Sequence, residues 1–239
     1  MDLTNRVALV TGAGRGIGRA LSLMLAAEGC AVAAAARSTD ELDSLVAEIE
    51  TGGAAAAAFP ADLAKMDEAR DLVGRVIDRF GRLEILINNA GIAPATPFLE
   101  ITEEEFDLTM NVNLKSMLIL CQAALRAMKE SGTGHIVNVS STVALGVPAL
   151  LGSYGISKHG VVGLSQALYQ TAKQLQVKVS VVYPGITDTK MVRDLEPPTK
   201  PEQWMRPEDI AETILFLLKQ SNRAIVRDLV PWSTGYDRI

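Results

Sequence analysis

Short apolar runs alternate along the chain with longer segments in which apolar residues recur every three or four positions. The short runs are almost continuously apolar, which is typical of strands buried on both faces of a parallel sheet. The longer segments have the amphipathic pattern of helices that cover such a sheet. The predicted strands are Arg6–Thr11, Ala31–Ala36, Ala55–Pro60, Glu84–Asn88, His135–Ser140 and Lys178–Tyr183, and the predicted helices are Ile17–Glu28, Asp40–Thr51, Lys65–Phe80, Glu103–Glu130 and Ser153–Gln174.

This alternation predicts an α/β fold: a single doubly wound, Rossmann-type domain with a mostly parallel sheet of about seven strands and helices on both faces. No repeat or linker divides the chain, so we expect one domain over residues 1–239. A last strand is expected at Ala224–Val230, although it contains Arg227 and Asp228. The stretch Lys190–Met205 has an irregular, proline-containing pattern, and we expect it to form a substrate lid at about 190–205.

Two local signals mark where helices begin. Ser38 is followed three residues later by Glu41, and Thr102 is followed at the same spacing by Glu105. A hydroxyl followed by a glutamate at this distance is the capping box of a helix N-terminus. The sequence therefore predicts helices that start just after Ser38 and Thr102.

Composition and charge exclude several classes of protein. The net charge of −5 argues against a general nucleic-acid binder, and no apolar run reaches the roughly 18 residues of a membrane span. The polar start, Met1–Arg6, has no signal-peptide pattern, so we expect a cytoplasmic protein without membrane association. The spacing of Cys30, Cys121, His135 and His159 suits neither a disulfide framework nor a metal site.

A glycine-rich turn follows the first predicted strand. Gly12, Gly16 and Gly18 come directly after Thr11 and lead into the first predicted helix. Glycine lets the backbone turn tightly and approach a pyrophosphate, while the helix N-terminus supplies free N–H groups and the positive end of its dipole. The strand–turn–helix context predicts a dinucleotide site. The alternative is a tight turn that binds no ligand.

The end of the second strand bears on the choice between NAD and NADP. NAD sites generally place an acidic residue there for the ribose hydroxyls, but this chain has Ala36 followed by Arg37 and Ser38. Arg37 and Arg15 would pair with a 2′-phosphate. We therefore expect NADP(H). The alternative is that Arg37 is a solvated surface arginine and Ser38 only a helix cap.

The candidate catalytic residues lie in the middle of the chain. Tyr154 and Lys158 are one helical turn apart on the same face, and Ser141 follows the fifth strand. A tyrosine hydroxyl has a pKa near 10 in water, and a neighbouring ammonium would lower it toward the range useful for proton transfer. Ser141 would donate a hydrogen bond to a substrate carbonyl. Taken alone, the Tyr/Lys spacing also fits an ordinary exposed helix pair.

These motifs, in this order, resemble a short-chain dehydrogenase/reductase of the single-domain branch over residues 1 to about 220. Within that family the chain is similar to 3-oxoacyl-acyl-carrier-protein reductases but has a divergent C-terminus. The matching residues are Thr11–Gly18, Asp62, Leu63, Asn88–Gly91, Asn113, Ser141, Tyr154, Lys158 and Pro184–Thr189.

The resemblance implies a role for each matching residue. Asn113, Ser141, Tyr154 and Lys158 would be catalytic, with Asn113 interrupting its helix and holding a water that links Lys158 to solvent. Asp62 would meet the adenine. Asn88 and Asn89 also fit structural hydrogen bonds between strands, and Thr189 also fits a cap of the lid helix. Together with the glycine turn and Arg37, the expected NADP(H) site is Gly12, Arg15, Gly16, Ile17, Gly18, Arg37, Ser38, Asp62, Leu63, Asn89, Ala90, Gly91, Tyr154, Lys158, Pro184, Gly185, Ile186 and Thr189.

The expected substrate pocket is mostly apolar. Arg193 on the lid would bind a substrate carboxylate, or it is a solvated lid residue. Arg126, Lys129 and Lys173 would meet a carrier protein, or they are solvated helix residues. The pocket walls are expected from Val143, Leu145, Val147, Leu150 and Leu151 and, on the lid, from Met191, Val192, Leu195 and Trp204.

The sequence thus predicts an NADPH-dependent carbonyl reductase acting on a small carbonyl compound, with acyl thioesters among its possible classes. The C-terminal stretch Arg223–Ile239 lacks the Asp-Gly-Gly tail of many bacterial 3-oxoacyl-carrier-protein reductases, which argues against that substrate. An NADP-dependent dehydrogenase of a small 3-hydroxy acid or other secondary alcohol, and a non-catalytic NADP-binding regulator, are the alternatives. The resemblance further implies a homotetramer or homodimer formed through Glu103–Glu130 and Ser153–Gln174.

Overall fold

A parallel β-sheet lies at the centre of the computed structural model, which describes residues 2–197 and 199–234. Within those residues the sheet has seven strands in the order β3-β2-β1-β4-β5-β6-β7, and every neighbouring pair is parallel. The strands are β1 (Val7–Thr11), β2 (Ala31–Ala36), β3 (Ala56–Pro60), β4 (Ile85–Asn88), β5 (Gly134–Val139), β6 (Val177–Val182) and β7 (Asp228–Leu229).

Helices cover both faces of this sheet. Successive residues of β1 point to opposite faces, so Ala8 and Val10 pack in one buried layer while Val7 and Leu9 pack in the other. The doubly wound α/β fold expected from the sequence is confirmed. The helices are α1 (Gly16–Ala27), α2 (Thr39–Thr51), α3 (Met66–Phe80), α4 (Glu103–Met110), α5 (Ser116–Ser131), α6 (Gly152–Gln174), α7 (Lys190–Asp194) and α8 (Pro207–Lys219).

The long helix expected at Glu103–Glu130 is divided in the structure. A π-helical turn, Asn111–Lys115, separates α4 from α5. Such a turn inserts one extra residue into the helical repeat and redirects the side chains around it. The helical stretch that the periodicity predicts is therefore present, and its α-helical repeat is interrupted around Asn113, as the family resemblance implied.

The continuous helical stretch Glu103–Ser131 also has the length and mean hydropathy, 1.2, of a membrane-spanning helix. Inside this fold, 44% of its most apolar window is buried. Leu120 and Met128 on α5, for example, are fully enclosed between the sheet and the neighbouring helices. A core helix satisfies the same length and composition test.

The C-terminal strand is much shorter than the expected Ala224–Val230. Its two residues pair with the end of β6, and the side chains around them are held by specific contacts. The Tyr183 hydroxyl donates to Asp228 Oδ1 at 2.7 Å, and the Arg227 guanidinium lies 4.1 Å from the centre of the Tyr169 ring. The charged residues that interrupt the apolar pattern therefore fasten the sheet edge. The rest of the tail expected to differ from relatives, residues 235–239, lies outside the described residues.

The stretch expected to form a lid carries α7 and a 3₁₀ turn, Pro201–Gln203. Thr189 caps α7, because its side chain accepts a hydrogen bond from the Val192 N–H at 3.3 Å. A parallel bridge between Thr187 and Met205 joins the two ends of the stretch. Pro198 lies outside the described residues.

Candidate active site

A cleft of about 1450 Å³ opens at the carboxyl ends of the parallel strands. It lies where the strand order reverses between β1 and β4, the position at which open α/β sheets bind their ligands. The glycine turn, the ends of β2, β4 and β5, the start of α6 and the lid all contribute to its walls.

The glycine turn is shaped for close approach of a ligand. Gly12 and Gly16 have φ values of +65° and +56°, where other residues are strained. A Cβ on Gly12 would lie 3.0 Å from Ala90 Cα, and a Cβ on Gly18 would overlap the Gly12 carbonyl oxygen at 2.2 Å. Arg15, which precedes α1, makes no side-chain cap to the helix N–H groups. The turn therefore presents backbone donors toward the cleft, as a pyrophosphate site requires.

Asn89 fastens this turn to the end of β4. Its side-chain amide donates to the carbonyl oxygens of Thr11 at 3.0 Å and Gly12 at 3.3 Å. The Thr11 hydroxyl in turn accepts from the N–H groups of Asn89 and Ala90. Asn89 also lines the cleft. These hydrogen bonds are the structural role that the sequence also allowed for Asn89.

Two arginines lie at the far end of the cleft, beside a carboxylate that the sequence reasoning did not use. Arg15, Arg37 and Ser38 line the cleft together with Glu41. Glu41 Oε1 accepts from Arg15 Nη1 at 3.5 Å, while Ser38 caps α2 by accepting from the Glu41 N–H at 3.4 Å. The absence of an acid from the end of β2 did not exclude one from α2, and Glu41 is paired with Arg15.

Ser141, Tyr154 and Lys158 meet at the middle of the cleft. Ser141 precedes a 3₁₀ turn, Thr142–Ala144, and its hydroxyl accepts from the Val143 N–H at 3.2 Å and hydrogen-bonds to Tyr154. The Lys158 Nζ lies 5.5 Å from the centre of the Tyr154 ring and donates to the Val139 carbonyl oxygen at 2.8 Å. The expected catalytic trio is brought together by β5 and α6.

The electrostatics of the trio differ from expectation. Burial raises the pKa of Tyr154, and its hydrogen bond with Ser141 only partly opposes this rise. Burial also lowers the pKa of Lys158 to about 8. A lysine whose own charge is disfavoured stabilises a neighbouring phenolate less, and the pKa of Tyr154 is raised rather than lowered as expected.

Asn113 occupies the π-helical turn and is fully buried. Its Oδ1 accepts from the Ile92 N–H at 2.8 Å, and its Nδ2 donates to the Ile92 carbonyl oxygen at 2.8 Å and to the Ser157 hydroxyl at 2.9 Å. Asn113 does not line the cleft and makes no direct hydrogen bond to Lys158. A Cβ on Gly91 would lie 3.3 Å from Asn113 Oδ1 and 3.7 Å from Lys158 Nζ, so the two polar groups flank one glycine.

The substrate end of the cleft is mostly apolar, as expected, but two of its expected residues lie elsewhere. Val143, Leu151 and Met191 line it, whereas Leu145 is 52% exposed and lies outside, because the 3₁₀ turn after Ser141 points it toward solvent. Trp204 also lies outside, and its indole N–H donates to the Thr199 hydroxyl at 2.9 Å.

Arg193 is not available as an anchor for a substrate carboxylate. Its guanidinium donates to both carboxylate oxygens of Asp188, at 2.6 and 2.9 Å, and it does not line the cleft. On the lid, Lys190 lines the cleft but is paired with Asp194 at 2.7 Å. Glu196 adds a further negative charge there, so the described part of the lid presents no excess of cations to the cleft.

Sequence reasoning missed two parts of the cleft wall. The segment after β4 contributes Ile92, Ala93 and Ala95, and the chain after β7 contributes Trp232 and Ser233. The Gly185 N–H donates to the Pro231 carbonyl oxygen at 3.1 Å, which brings this C-terminal stretch alongside the cleft. A single tryptophan after an unusual final strand carries no sequence pattern that would place it there.

Most of the other expected site residues do line the cleft. Gly18 does not, because it packs against the turn backbone. The lining residues from the expected cofactor set are Gly12, Arg15, Gly16, Ile17, Arg37, Ser38, Asp62, Leu63, Asn89, Ala90, Gly91, Tyr154, Lys158, Pro184, Gly185, Ile186 and Thr189.

Comparison with known proteins agrees with this geometry. The sequence profile described as short chain dehydrogenase matches residues 6–200. This chain belongs to that family. It is 32% identical over 239 residues to the 3-oxoacyl-[acyl-carrier-protein] reductase of Thermotoga maritima, with 96% of this chain and 97% of the relative covered. The chain is therefore an oxidoreductase of this family.

Two solved structures extend the comparison to bound ligands. A short chain dehydrogenase from Burkholderia cenocepacia in complex with NADP is 34% identical, with a TM-score of 0.87 over 96% of this chain and 97% of that one. An alcohol dehydrogenase from Thermococcus sibiricus complexed with 5-hydroxy-NADP is 29% identical, with a TM-score of 0.89 over 98% of this chain and 99% of that one. Both similar structures hold NADP or a derivative of it.

Proposed function

We propose that this protein is an NADPH-dependent carbonyl reductase that acts on small, uncharged and largely apolar carbonyl compounds. The observation that carries the proposal is the convergence of Ser141, Tyr154 and Lys158 in a cleft whose far end holds Arg15 and Arg37. The first group suits proton handling at a carbonyl oxygen, and the second suits a phosphate. The complexes of similar proteins with NADP support the choice of cofactor.

The glycine turn fits the cofactor because its backbone leads directly into a helix N-terminus that no side chain caps. Gly12 and Gly16 hold backbone conformations that favour glycine, and the N-terminus of α1 has no side-chain cap. We assign the pyrophosphate to this turn and the 2′-phosphate to the two arginines. When bound, the nicotinamide supplies the hydride that reduces the carbonyl carbon.

The three central residues handle the oxygen and its proton. Ser141 donates a hydrogen bond to the substrate oxygen and stabilises the negative charge that develops there. Tyr154 delivers its hydroxyl proton to that oxygen. Lys158 then stabilises the tyrosine left without its proton, a role that requires the ammonium form and therefore a pH below its pKa of about 8. Asn113 holds Ile92 and Ser157 in place beside this group.

The charges of the lid favour an uncharged substrate. Lys190 is paired with Asp194, and Arg193 is paired with Asp188. The described lid residues that line the cleft offer a carboxylate no unpaired cation, and burying it against the mostly apolar substrate end is costly. This observation disfavours the alternative of a small 3-hydroxy acid. A non-catalytic regulator is disfavoured because the catalytic trio is complete.

The test removes one hydroxyl. Tyr154→Phe should abolish most turnover of an apolar ketone, with a loss of about 100-fold or more in kcat, because the proton donor is gone. Binding of NADPH, measured by fluorescence titration, should stay within about twofold of the wild-type value. A Tyr169→Phe variant, in which the altered tyrosine lies outside the cleft, is the matched control. Near-normal turnover by Tyr154→Phe would contradict the mechanism.

Substrate class has its own measurement. NADPH oxidation should be compared for apolar ketones and diketones, β-ketoacyl thioesters and keto acids of similar size. The proposal expects kcat/KM for the neutral ketones to exceed that for the keto acids by at least about tenfold, since an unpaired buried charge is disfavoured. A preference for keto acids would reject the proposed substrate class while leaving the reductase chemistry in place.

We also propose that the protein self-associates through α5 and α6 as a homodimer or homotetramer. Leu118 on α5 and Ile156 on α6 are large apolar side chains that are 44% and 42% exposed, and a second chain packed on these helices would cover them. Sedimentation velocity should show a species of at least two chains. A monomer at micromolar concentration would reject this assembly.

A further inference from the structure

The helix that carries Tyr154 begins without a local cap. Leu151, the residue before α6, has no capping side chain, and the first turn contains no acidic residue. A helix start of this kind leaves free backbone N–H groups and a positive dipole end. The catalytic tyrosine lies in that first turn, so its position depends on whatever stabilises the turn.

Glu105 on α4 supplies the missing negative charge. Its Oε1 accepts a hydrogen bond from the Ser153 hydroxyl at 2.9 Å, and Ser153 is the residue next to Tyr154. Its Oε2 accepts from the Thr96 hydroxyl at 2.5 Å. Ser153 is 1% exposed, and its hydrogen bond with Glu105 is partly buried. One carboxylate therefore joins α4, the segment after β4 and the start of α6.

A second link between α6 and the segment after β4 lies one helical turn further along α6. Ser157 is four residues after Ser153, and it accepts a hydrogen bond from Asn113. Asn113 also holds Ile92, just as Glu105 holds Thr96. Glu105 and Asn113 thus each link the segment after β4 to α6, one at Ser153 and the other at Ser157. These two positions lie on either side of Tyr154 in the sequence.

The other acidic residues in the first turn of α4 are not placed as Glu105 is. Glu103 and Glu104 precede Glu105 in α4, and both side chains are exposed. A parallel bridge between Thr96 and Leu151 brings the segment after β4 directly against the start of α6. Glu105 lies at this junction.

We propose that Glu105 is a positioning residue for Tyr154, acting through Ser153 and Thr96. The inference rests on the proposed reductase function, because its main readout is turnover. Loss of the carboxylate would free the first turn of α6 and move the tyrosine hydroxyl relative to Ser141. Small displacements of catalytic groups cost about 10- to 100-fold in rate. The cofactor site at the other end of the cleft should not change.

The experiment compares Glu105→Ala, Ser153→Ala, their double variant and Glu105→Gln, with Glu103→Ala as the matched control from the same helical turn. Glu105→Ala should lower kcat about tenfold or more while KM for NADPH stays within about twofold. Glu105→Gln should recover part of kcat, because its amide oxygen still accepts from Ser153. The double variant should be no slower than Glu105→Ala, since both changes remove the same Ser153–Glu105 hydrogen bond.

Two results would overturn the inference. One is a kcat for Glu105→Ala within twofold of wild type, and the other is a double variant whose loss is the product of the two single losses. Hydrogen exchange of residues 152–156 adds a readout that does not need turnover: Glu105→Ala should speed exchange there, and Glu103→Ala should not. If the wild-type protein reduces no carbonyl compound, the proposed function fails, and unchanged exchange in Glu105→Ala would then reject the positioning role separately. Ser153→Ala, which removes a single hydroxyl, gives the same test if Glu105→Ala does not fold.

Discussion

Lys158 should destabilise the fold at neutral pH, and replacing it with methionine should make the protein more stable. Its side chain is 3% exposed, and burial lowers its pKa from 10.5 to about 8. The ammonium is therefore less favourable in the folded protein than in the unfolded chain. Methionine has a similar length and no charge, so Lys158→Met removes the buried charge with little change in packing.

The size of the effect follows from the two pKa values. The gap between 10.5 and about 8, at about 1.4 kcal/mol for each pKa unit, gives a penalty of about 3 kcal/mol below pH 8. The methionine variant loses the hydrogen bond from Lys158 Nζ to the Val139 carbonyl oxygen, which costs about 1–2 kcal/mol. The net gain in the free energy of unfolding at pH 7 is about 1–2 kcal/mol.

The sign of the pH dependence distinguishes this cause from better packing. The folded pKa lies below the unfolded one, so the unfolded chain holds more protons between about pH 8 and 10.5. The stability of the wild type relative to the variant should therefore rise between about pH 8 and 10.5, and the full destabilisation by Lys158 should be present below about pH 8. At pH 9.5 the advantage of Lys158→Met should shrink by about 2 kcal/mol and vanish or reverse.

Urea denaturation at equal protein concentration, at pH 7 and pH 9.5, measures both quantities. The other titrating groups are common to the two proteins and cancel in the difference. The reasoning is refuted if Lys158→Met is less stable at pH 7, or if the difference between the two proteins does not change with pH. The same variant should have almost no reductase activity, so the gain in stability and the loss of function would come from one ammonium group.

Three further predictions concern residues at the edges of the site and in the core. Arg37→Ala should weaken NADPH binding at least tenfold more than NADH binding. Glu41→Gln should improve the preference for NADPH, because it removes a carboxylate beside the arginines. Equal changes for both cofactors in a binding titration would reject the phosphate site. Burial lowers the pKa of His135 from 6.5 to about 3, so this residue should lower the free energy of unfolding by about 2 kcal/mol between pH 7 and pH 5. A His135→Gln variant should lack that acid dependence in urea titrations. Arg193→Ala should leave KM for keto acids within twofold, because its guanidinium is held by Asp188; a large rise in KM would show that this ion pair opens for substrate.

The sheet and the glycine turn could be predicted from sequence because their causes are local. Most side chains of the strands are apolar on both faces of the sheet. β2 and β3 were recognised even though they are rich in alanine, since they lie between clear helices. Gly12 and Gly16 adopt positive φ values at the positions that the pattern indicates. Tyr154 and Lys158 share a helix face by their spacing alone.

The features that were missed depend on contacts between distant parts of the chain. Trp232 reaches the cleft only because the edge of the sheet turns there. The π-helical turn leaves the apolar pattern unchanged, so periodicity did not reveal it, and only the family resemblance implied an interruption at Asn113. The pKa of Tyr154 depends on how deeply the folded protein buries it, and Lys158, which should have lowered it, is itself buried and weakened as a charge. Spacing indicates which residues meet, but not the dielectric environment in which they meet.

The two predicted capping boxes show where this limit lies. In both, the backbone half is correct: Ser38 accepts from the Glu41 N–H, and Thr102 accepts from the Glu105 N–H. The glutamate carboxylates, which the motif would assign to the same turn, instead bind distant partners: Arg15 for Glu41 and Ser153 for Glu105. A backbone N–H near its cap has few competing partners, but a flexible carboxylate binds whichever strong donor the fold brings close. Glu41 therefore lies in the cleft beside the arginines, and Glu105 lies against Ser153, the neighbour of Tyr154, although the motif predicts a purely local role for each.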